Sequence, residues 1–301
     1  MTQENLVSST RNRLKNISRK RKLDFQFVLT RYALERFLYR LSKSKYKNQF
    51  VLKGALLFMV WSEEQFRPTK DLDLMGLVEE SSEKLRGTVE EICRLDVEAD
   101  GMIYDTATIT IREIREEQEY QGQRVKLTAR LGNARIPLQI DIGFGDVIVP
   151  GAVETYFPSL LEMQKPLIKA YPKETVVAEK LQAMVVLGMQ NSRMKDFYDL
   201  YIFANQFQFD GGILADAISR TFKRRRTDLP EHLPLALSNE FSGDSQKLVQ
   251  WKAFLRKSGL QLDDDFRIII NYLRDFLSRP LNAAAKREKL NKSWKNGGPW
   301  K

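Results

Sequence analysis

The chain runs to 301 residues, 43% of them hydrophobic and 29% charged, with a formal net charge of +10 at pH 7, the profile of a globular protein long enough for one large domain or two modest ones. No apolar run approaches the roughly 20 residues that span a bilayer, and the start MTQENLVSSTRNRLKNISRKRK lacks the apolar centre of a secretion signal, so a cytoplasmic location without membrane contact is expected. A single cysteine, Cys93, and a single histidine, His232, exclude an intrachain disulfide, a cysteine metal cluster and a His-rich zinc site, leaving catalysis to carboxylates, lysines, arginines and a hard metal ion.

Residues 1–22 read as a polar, basic arm or a weakly packed helix. From 23 to 46 apolar residues recur at helical spacing (Phe25, Val28, Leu29, Tyr32, Leu34, Phe37, Leu38, Leu41), which predicts an amphipathic helix laid against a core. The stretch VLKGALLFMVWSEEQFRPTKDLDL (51–74) follows. It reads as a short strand over 50–52, a turn at Gly54, a short helix over 55–61, a polar link with Arg67 and Pro68, and a strand carrying Asp71 and Asp73. Alternation puts both aspartates on one face of that strand and Leu72 and Leu74 on the other. Two carboxylates so close repel each other, and a divalent cation with oxygen ligands accounts for them better than a shared proton or burial. The plainer alternatives are a strand-end cap or a structural ion.

Ser81 or Ser82 caps a predicted helix that runs to Cys93. Past Asp100-Gly101 the pattern changes to period two over 106–114, 124–131 and 135–144, with turn signals at Gln121-Gly122 and Gly132-Asn133. Three strands so joined are antiparallel neighbours. With the two earlier strands they predict an α+β fold, a mixed but mainly antiparallel sheet covered on one side by the early helices. On the last of these strands Ile136, Leu138, Ile140, Ile142 and Phe144 share one face, and Gln139, Asp141 and Gly143 share the other. Asp141 is thus a lone acid on a strand, where aspartate is disfavoured: either a functional group or simply an exposed one. Asp146 reads as a turn residue.

A proline-punctuated connector covers 147–171, and the remainder has helical period, with helices predicted over 173–187, 193–207, 212–225, 245–257 and 263–277. The expected organisation is a basic arm (1–22), an α+β domain (23–165), a helical domain (166–285) and a disordered basic tail (286–301) in which Trp294 and Trp300 have little to pack on. In VVAEKLQAM (176–184) Lys180 lies among apolar residues and either snorkels to the surface or faces an anion. In NSRMKDFYDL (191–200) Asp196 and Asp199 share one face of a largely apolar helix and need partners, for which Lys180, Arg193 and Lys195 are available. A salt-bridge lock between the two helices, including Lys195 with Asp199 at i,i+4, is the structural alternative to a functional role. Basic runs at 11–22, 223–226 (KRRR) and 286–301 attract phosphate backbones without reading sequence, or are solvated faces.

A glycine turn followed by D-x-D on the next strand resembles the opening motif of the DNA polymerase β-like nucleotidyltransferase superfamily. KGALLF (53–58) and RPTKDLDL (67–74), with the two helical motifs above, look more particularly like the AbiEii/AbiGii toxin family, over roughly 50–226. That resemblance implies a nucleotidyltransferase in which Asp71, Asp73 and Asp141 hold Mg²⁺ (or Mn²⁺). It further implies that Lys180 and an aspartate of the second helix, Asp196 in preference to Asp199, are essential, with the helical domain contributing to the active site. Lys53, Gly54, Ala55, Arg67, Thr69, Lys180, Lys195 and Asp199 would line a nucleoside triphosphate. The acceptor would be RNA, such as a tRNA 3′ end, and a cognate antitoxin would control the enzyme. One departure is Gly54-Ala55, where the superfamily commonly has Gly-Ser or Gly-Gly holding the triphosphate. A transferase acting on a small molecule or a protein hydroxyl, and a nucleic-acid- or antitoxin-binding module with a decayed site, are the rival readings.

Overall fold

The computed structural model describes residues 2–62, 67–116, 120–262 and 265–301. The chain divides into two compact units, Met1–Gly145 with Val153–Ala170, and Asp146–Ala152 with Tyr171–Lys301.

The first unit opens with α1 (Gln3–Arg21) and α2 (Phe25–Lys43), followed by β1 (Phe50–Lys53), a 3₁₀ turn (Gly54–Leu57), α3 (Phe58–Trp61), β2 (Asp71–Gly76) and α4 (Ser82–Arg94). Then come β3 (Met102–Glu116), β4 (Tyr120–Leu131), β5 (Ala134–Phe144), β6 (Val153–Tyr156) and β7 (Leu167–Ala170). The strands form one seven-stranded sheet in the order β3-β4-β5-β2-β1-β7-β6. Only β2–β5 and β1–β7 pair in parallel; the other neighbours are antiparallel. The sheet is therefore mixed and mainly antiparallel, in an α+β unit. Strand alternation explains its two faces: Leu72, Leu74, Val125, Leu127, Ile136, Leu138, Ile140 and Ile142 are buried. Each such side chain contributes about 1.5–3 kcal/mol on full burial.

Helix α2 lies against β5 and β7. It is not the amphipathic helix its spacing predicts, because every residue from 27 to 41 is buried, charges included. Arg36 and Arg40 both reach Asp100, with Arg40 Nη1 2.6 Å from Oδ2 and Arg36 Nε 3.2 Å from the same oxygen. Glu35, whose pKa is raised chiefly by burial, accepts hydrogen bonds from Ser159 Oγ (2.5 Å) and Leu160 N (2.7 Å). Arg36 also donates to the Gln164 carbonyl at 3.0 Å. These polar contacts tie the segment after β6 to the helix. Of the arm or weakly packed helix expected over 1–22, the helix is what forms: α1 packs on α2, and its Thr10, Leu14 and Ser18, spaced by four, are buried. The turn expected at Gln121-Gly122 is strand: Gly122 pairs with Ile114 on one side and Gly143 on the other.

The second unit holds α5 (Lys173–Leu187), α6 (Met194–Gln206), β8 (Phe209–Asp210), α7 (Gly211–Arg224), α8 (Asn239–Gly243), α9 (Ser245–Ser258), α10 (Phe266–Lys286) and β9 (Ser293–Trp294). The predicted start of the last helix at Asp263 lies outside the described residues. Helix α7 packs on α5 and α10, and α10 on α6. The disorder expected over 286–301 is not observed. Trp294 and Trp300 are buried, their indole N–H groups donate to Ala204 O (2.6 Å) and Phe276 O (2.9 Å), and β9 pairs with β8. Phe276 supplies the packing surface that the local sequence lacks: the Trp300 ring stacks on it with a centroid distance of 6.1 Å. Asp146 is likewise no mere turn residue. It is held by both Arg225 Nε and Nη2 at 3.1 Å, and Arg225 also donates to Gln182 at 2.9 Å. Among the described residues no helix is long and apolar enough to cross a membrane.

Candidate active site

The site is built by strand register. Strand β2 alternates Leu72 and Leu74 into the core, so Asp71 and Asp73 stand on the opposite face, half-buried. Parallel pairing sets Asp141 of β5 directly beside Asp73, and Gln139 beside Asp71. On the other flank of β2, Lys53 of β1 is opposite Asp73. Beyond β5, Arg124 of β4 is opposite Asp141, and Arg112 of β3 is opposite Arg124. Neighbouring strands are about 4.8 Å apart and in-register neighbours point the same way. One line across five strands therefore reads Lys53, Asp73, Asp141, Arg124, Arg112: two acids between cations.

Glycines let this line close up. Gly54 has φ +73°, and a Cβ built on it would lie 1.9 Å from Asp73 Oδ2, so the Asp73 carboxylate rests on the glycine backbone at the start of the 3₁₀ turn. Only glycine meets both demands. A Cβ at Gly143 would lie 3.3 Å from Lys53 Nζ, so the Lys53 ammonium extends from β1 past β2 to the polar face of β5. Arg67 and Thr69, half-buried, precede β2, and Ala55 is buried within the turn. The short helix predicted over 55–61 is thus a 3₁₀ turn leading into the four-residue α3.

Asp141 is gripped. Arg124 Nε donates to its Oδ1 at 2.8 Å and Arg124 Nη2 to its Oδ2 at 2.7 Å, while Gln139 Nε2 adds a bond to Oδ2 at 3.1 Å. Among the described residues no three His, Cys, Asp or Glu side chains form a ready-made metal cluster. The donor chemistry nevertheless suits a hard cation: Asp71 and Asp73 share a face, and a third carboxylate stands on the adjacent strand. An ion on Asp141 would compete with Arg124 for its oxygens. The expected acid trio is therefore brought together by register, with Arg124 and Gln139 as partners the motifs do not announce.

In the second unit Lys180 of α5 meets both aspartates of α6, Asp196 Oδ1 at 2.6 Å and Asp199 Oδ2 at 2.9 Å. Arg193 Nε binds the other Asp196 oxygen at 2.6 Å. Both acids are 1% exposed. Burial alone would raise the Asp196 pKa, but the charges of Lys180 and Arg193 outweigh it and hold the group at about 2. Lys195 points outward from the same helix and is exposed. The two aspartates share Lys180, so the geometry does not divide them into a functional acid and a packing acid. The loop ahead of α6 is set by Asn191, whose Oδ1 accepts from Arg193 N at 2.8 Å, and by buried Lys247, which donates to the Asn191 carbonyl at 3.0 Å.

A solved H. pylori protein described as a candidate nucleotidyltransferase superposes with a TM-score of 0.51 at 14% identity, covering 88% of this chain and 98% of its own. JHP933 from Helicobacter pylori covers the same 88%, and 95% of its own length, at 14% identity with a TM-score of 0.48. The first likeness shows the fold. No curated protein sequence matches the chain. The family profile described as nucleotidyl transferase AbiEii toxin, type IV toxin–antitoxin system, matches residues 36–278, which span β1 through most of α10 and include Asp71, Asp73, Asp141, Asp196 and Asp199. The chain belongs to the AbiEii nucleotidyl transferase toxin family.

Proposed function

We propose that the protein is a divalent-metal-dependent nucleotidyltransferase that moves nucleotides from a nucleoside triphosphate to an RNA acceptor, such as a tRNA 3′ end, under the control of a cognate antitoxin. The observation that carries this reading is the register that sets Asp141 beside Asp73 on the face Asp73 shares with Asp71. Asp71 and Asp73, with Asp141, would hold Mg²⁺ or Mn²⁺, which supplies charge neutralisation for an in-line displacement when bound. Asp141 is the group on this face suited to take the proton of an attacking hydroxyl. Lys53 and Arg67 are cations close to the acids in sequence and register, fitted to hold phosphate oxygens as charge builds on them. Gly54 and Ala55 offer a backbone surface with little side-chain bulk, and Thr69 a hydroxyl, to the same nucleotide. Within the second unit, Lys180, anchored by Asp196 and Asp199, and Lys195 on the exposed side of α6 are cations suited to a phosphate group.

An RNA acceptor is favoured by charge. Arg11, Arg13, Lys15, Arg19, Lys20, Arg21 and Lys22 are all exposed along and just after α1, a concentration of positive charge that would release counterions on meeting a phosphate backbone. The run at 223–226 contributes less than its composition suggests, since Arg225 is turned inward onto Asp146 and Glu179.

The test is transfer from labelled nucleoside triphosphates in the presence of Mg²⁺ and total RNA. Label in RNA that vanishes with Asp73→Asn is expected. Label only in protein or a small molecule would redirect the acceptor. No transfer to any acceptor, with salt-sensitive RNA retention, would make the chain a binding module.

A further inference from the structure

Both oxygens of Asp141 are held by one guanidinium, and Gln139 adds a third bond. The Asp141 side chain is the sunken partner, 13% exposed, while Arg124 is 36% exposed at the rim of the same face. A fork-to-carboxylate pair of this kind is the strong form of ion pairing, and it uses the oxygens a cation would need. A divalent ion and a guanidinium compete for them, because two cations at that spacing repel. Arg112 stands opposite Arg124 on β3, and like charges directly across a ladder are unfavourable, so Arg124 is biased toward the acid. Its partial exposure leaves it room to leave.

We propose that Arg124 is the resting counter-ion of the acid face: its guanidinium occupies Asp141 until a divalent cation takes that carboxylate, so loading the third acid is an exchange of one cation for another. The inference rests on the metal reading above and concerns how this chain tunes it. Arg124 lowers the affinity of the nucleotide-free site for metal, and once released its fork suits a phosphate group as well as it suited the carboxylate. Arg124 is thus a positioning residue, acting through Asp141.

The experiment is a Mn²⁺ titration of the full chain without nucleotide, reading unbound Mn²⁺ by its electron paramagnetic resonance signal. Wild type is compared with Arg124→Gln, Arg124→Lys and Asp73→Asn, each checked for folding by its thermal melt. Removing a partly exposed competing guanidinium should tighten Mn²⁺ binding by about fivefold in Arg124→Gln. Arg124→Lys, whose ammonium cannot fork, should fall between it and wild type, and decides the matter should the glutamine variant not fold. Weaker binding in both variants would make Arg124 a scaffold that orients Asp141 and would overturn the exchange. Binding lost in Asp73→Asn but unchanged in the Arg124 variants would overturn it too, while leaving the metal reading intact. No Mn²⁺ binding in any of these proteins would overturn both.

Discussion

Gly54 and Asp73 make the tightest demand of any pair on the polar face. With φ at +73° and the Asp73 carboxylate filling the place a Cβ would take, Gly54→Ala forces the acid to move and strains the backbone by about 1–3 kcal/mol. Transfer should be lost and the denaturation midpoint should drop; an active, undiminished Gly54→Ala enzyme would mean that Asp73 has no fixed place. Asp71→Asn and Asp73→Asn behave differently. Both side chains sit on the face away from Leu72 and Leu74, so each substitution should abolish transfer with little change in thermal midpoint, and a large stability loss would mark them as structural acids. Asp196 gives a pH signature. Burial opposes its ionisation, but Lys180 and Arg193 bring its pKa to about 2, below the roughly 3.9 of an unfolded aspartate. A depressed carboxylate pKa contributes stability above the unfolded value that is lost as pH falls through the folded one. Between about pH 4 and pH 2 the wild type should therefore lose about 2 kcal/mol that Asp196→Asn does not lose. Matching acid limbs in the two unfolding curves would contradict this.

At the scale of elements, α2 is held by buried charge pairs as well as by apolar contact. Asp100 sits 2% exposed between Arg36 and Arg40, and truncating one partner of a buried ion group leaves the others uncompensated. Asp100→Ala should cost about 3–5 kcal/mol in chemical denaturation; a loss below about 1 kcal/mol would show that water replaces the carboxylate there. Hydrophobic spacing announced that helix but not its charged interior: Arg36 and Arg40 follow Tyr32 by four and eight residues, on the side of that buried ring, and what pairs their charges there, Asp100 and the Gln164 carbonyl, is remote in sequence. The acid strands were more legible. Alternation alone gave the faces of β2 and β5, and the D-x-D spacing gave the pair. Arg124 was also within reach: the two-residue turn Gly132-Asn133 pairs Leu131 with Ala134, and counting outward from it brings Arg124 opposite Asp141. What no local pattern supplies is the parallel register of β2 on β5, since those strands are joined by α4, β3 and β4 and meet only in the assembled sheet.

For the whole molecule, the division into units follows from where the apolar surface goes. The last residues look unstructured by composition, yet Trp294 and Trp300 close the aromatic cluster of the second unit around Phe276. Trp294→Ala should lower stability by about 3–5 kcal/mol, and a variant with an unchanged melt would show that β9 does not dock in solution. Basic residues near that end therefore flank a packed strand, and deleting them to test RNA binding would confound charge with folding. Neutralising the exposed cations of α1 singly avoids this. The most direct trial of the metal-centred site is a crystal of the full chain soaked with a nucleoside triphosphate and Mn²⁺, read by anomalous scattering. An ion about 2 Å from carboxylate oxygens of Asp71 and Asp73, with the triphosphate on that same ion, is the expected result. A triphosphate bound with no Mn²⁺ at these two acids would contradict it.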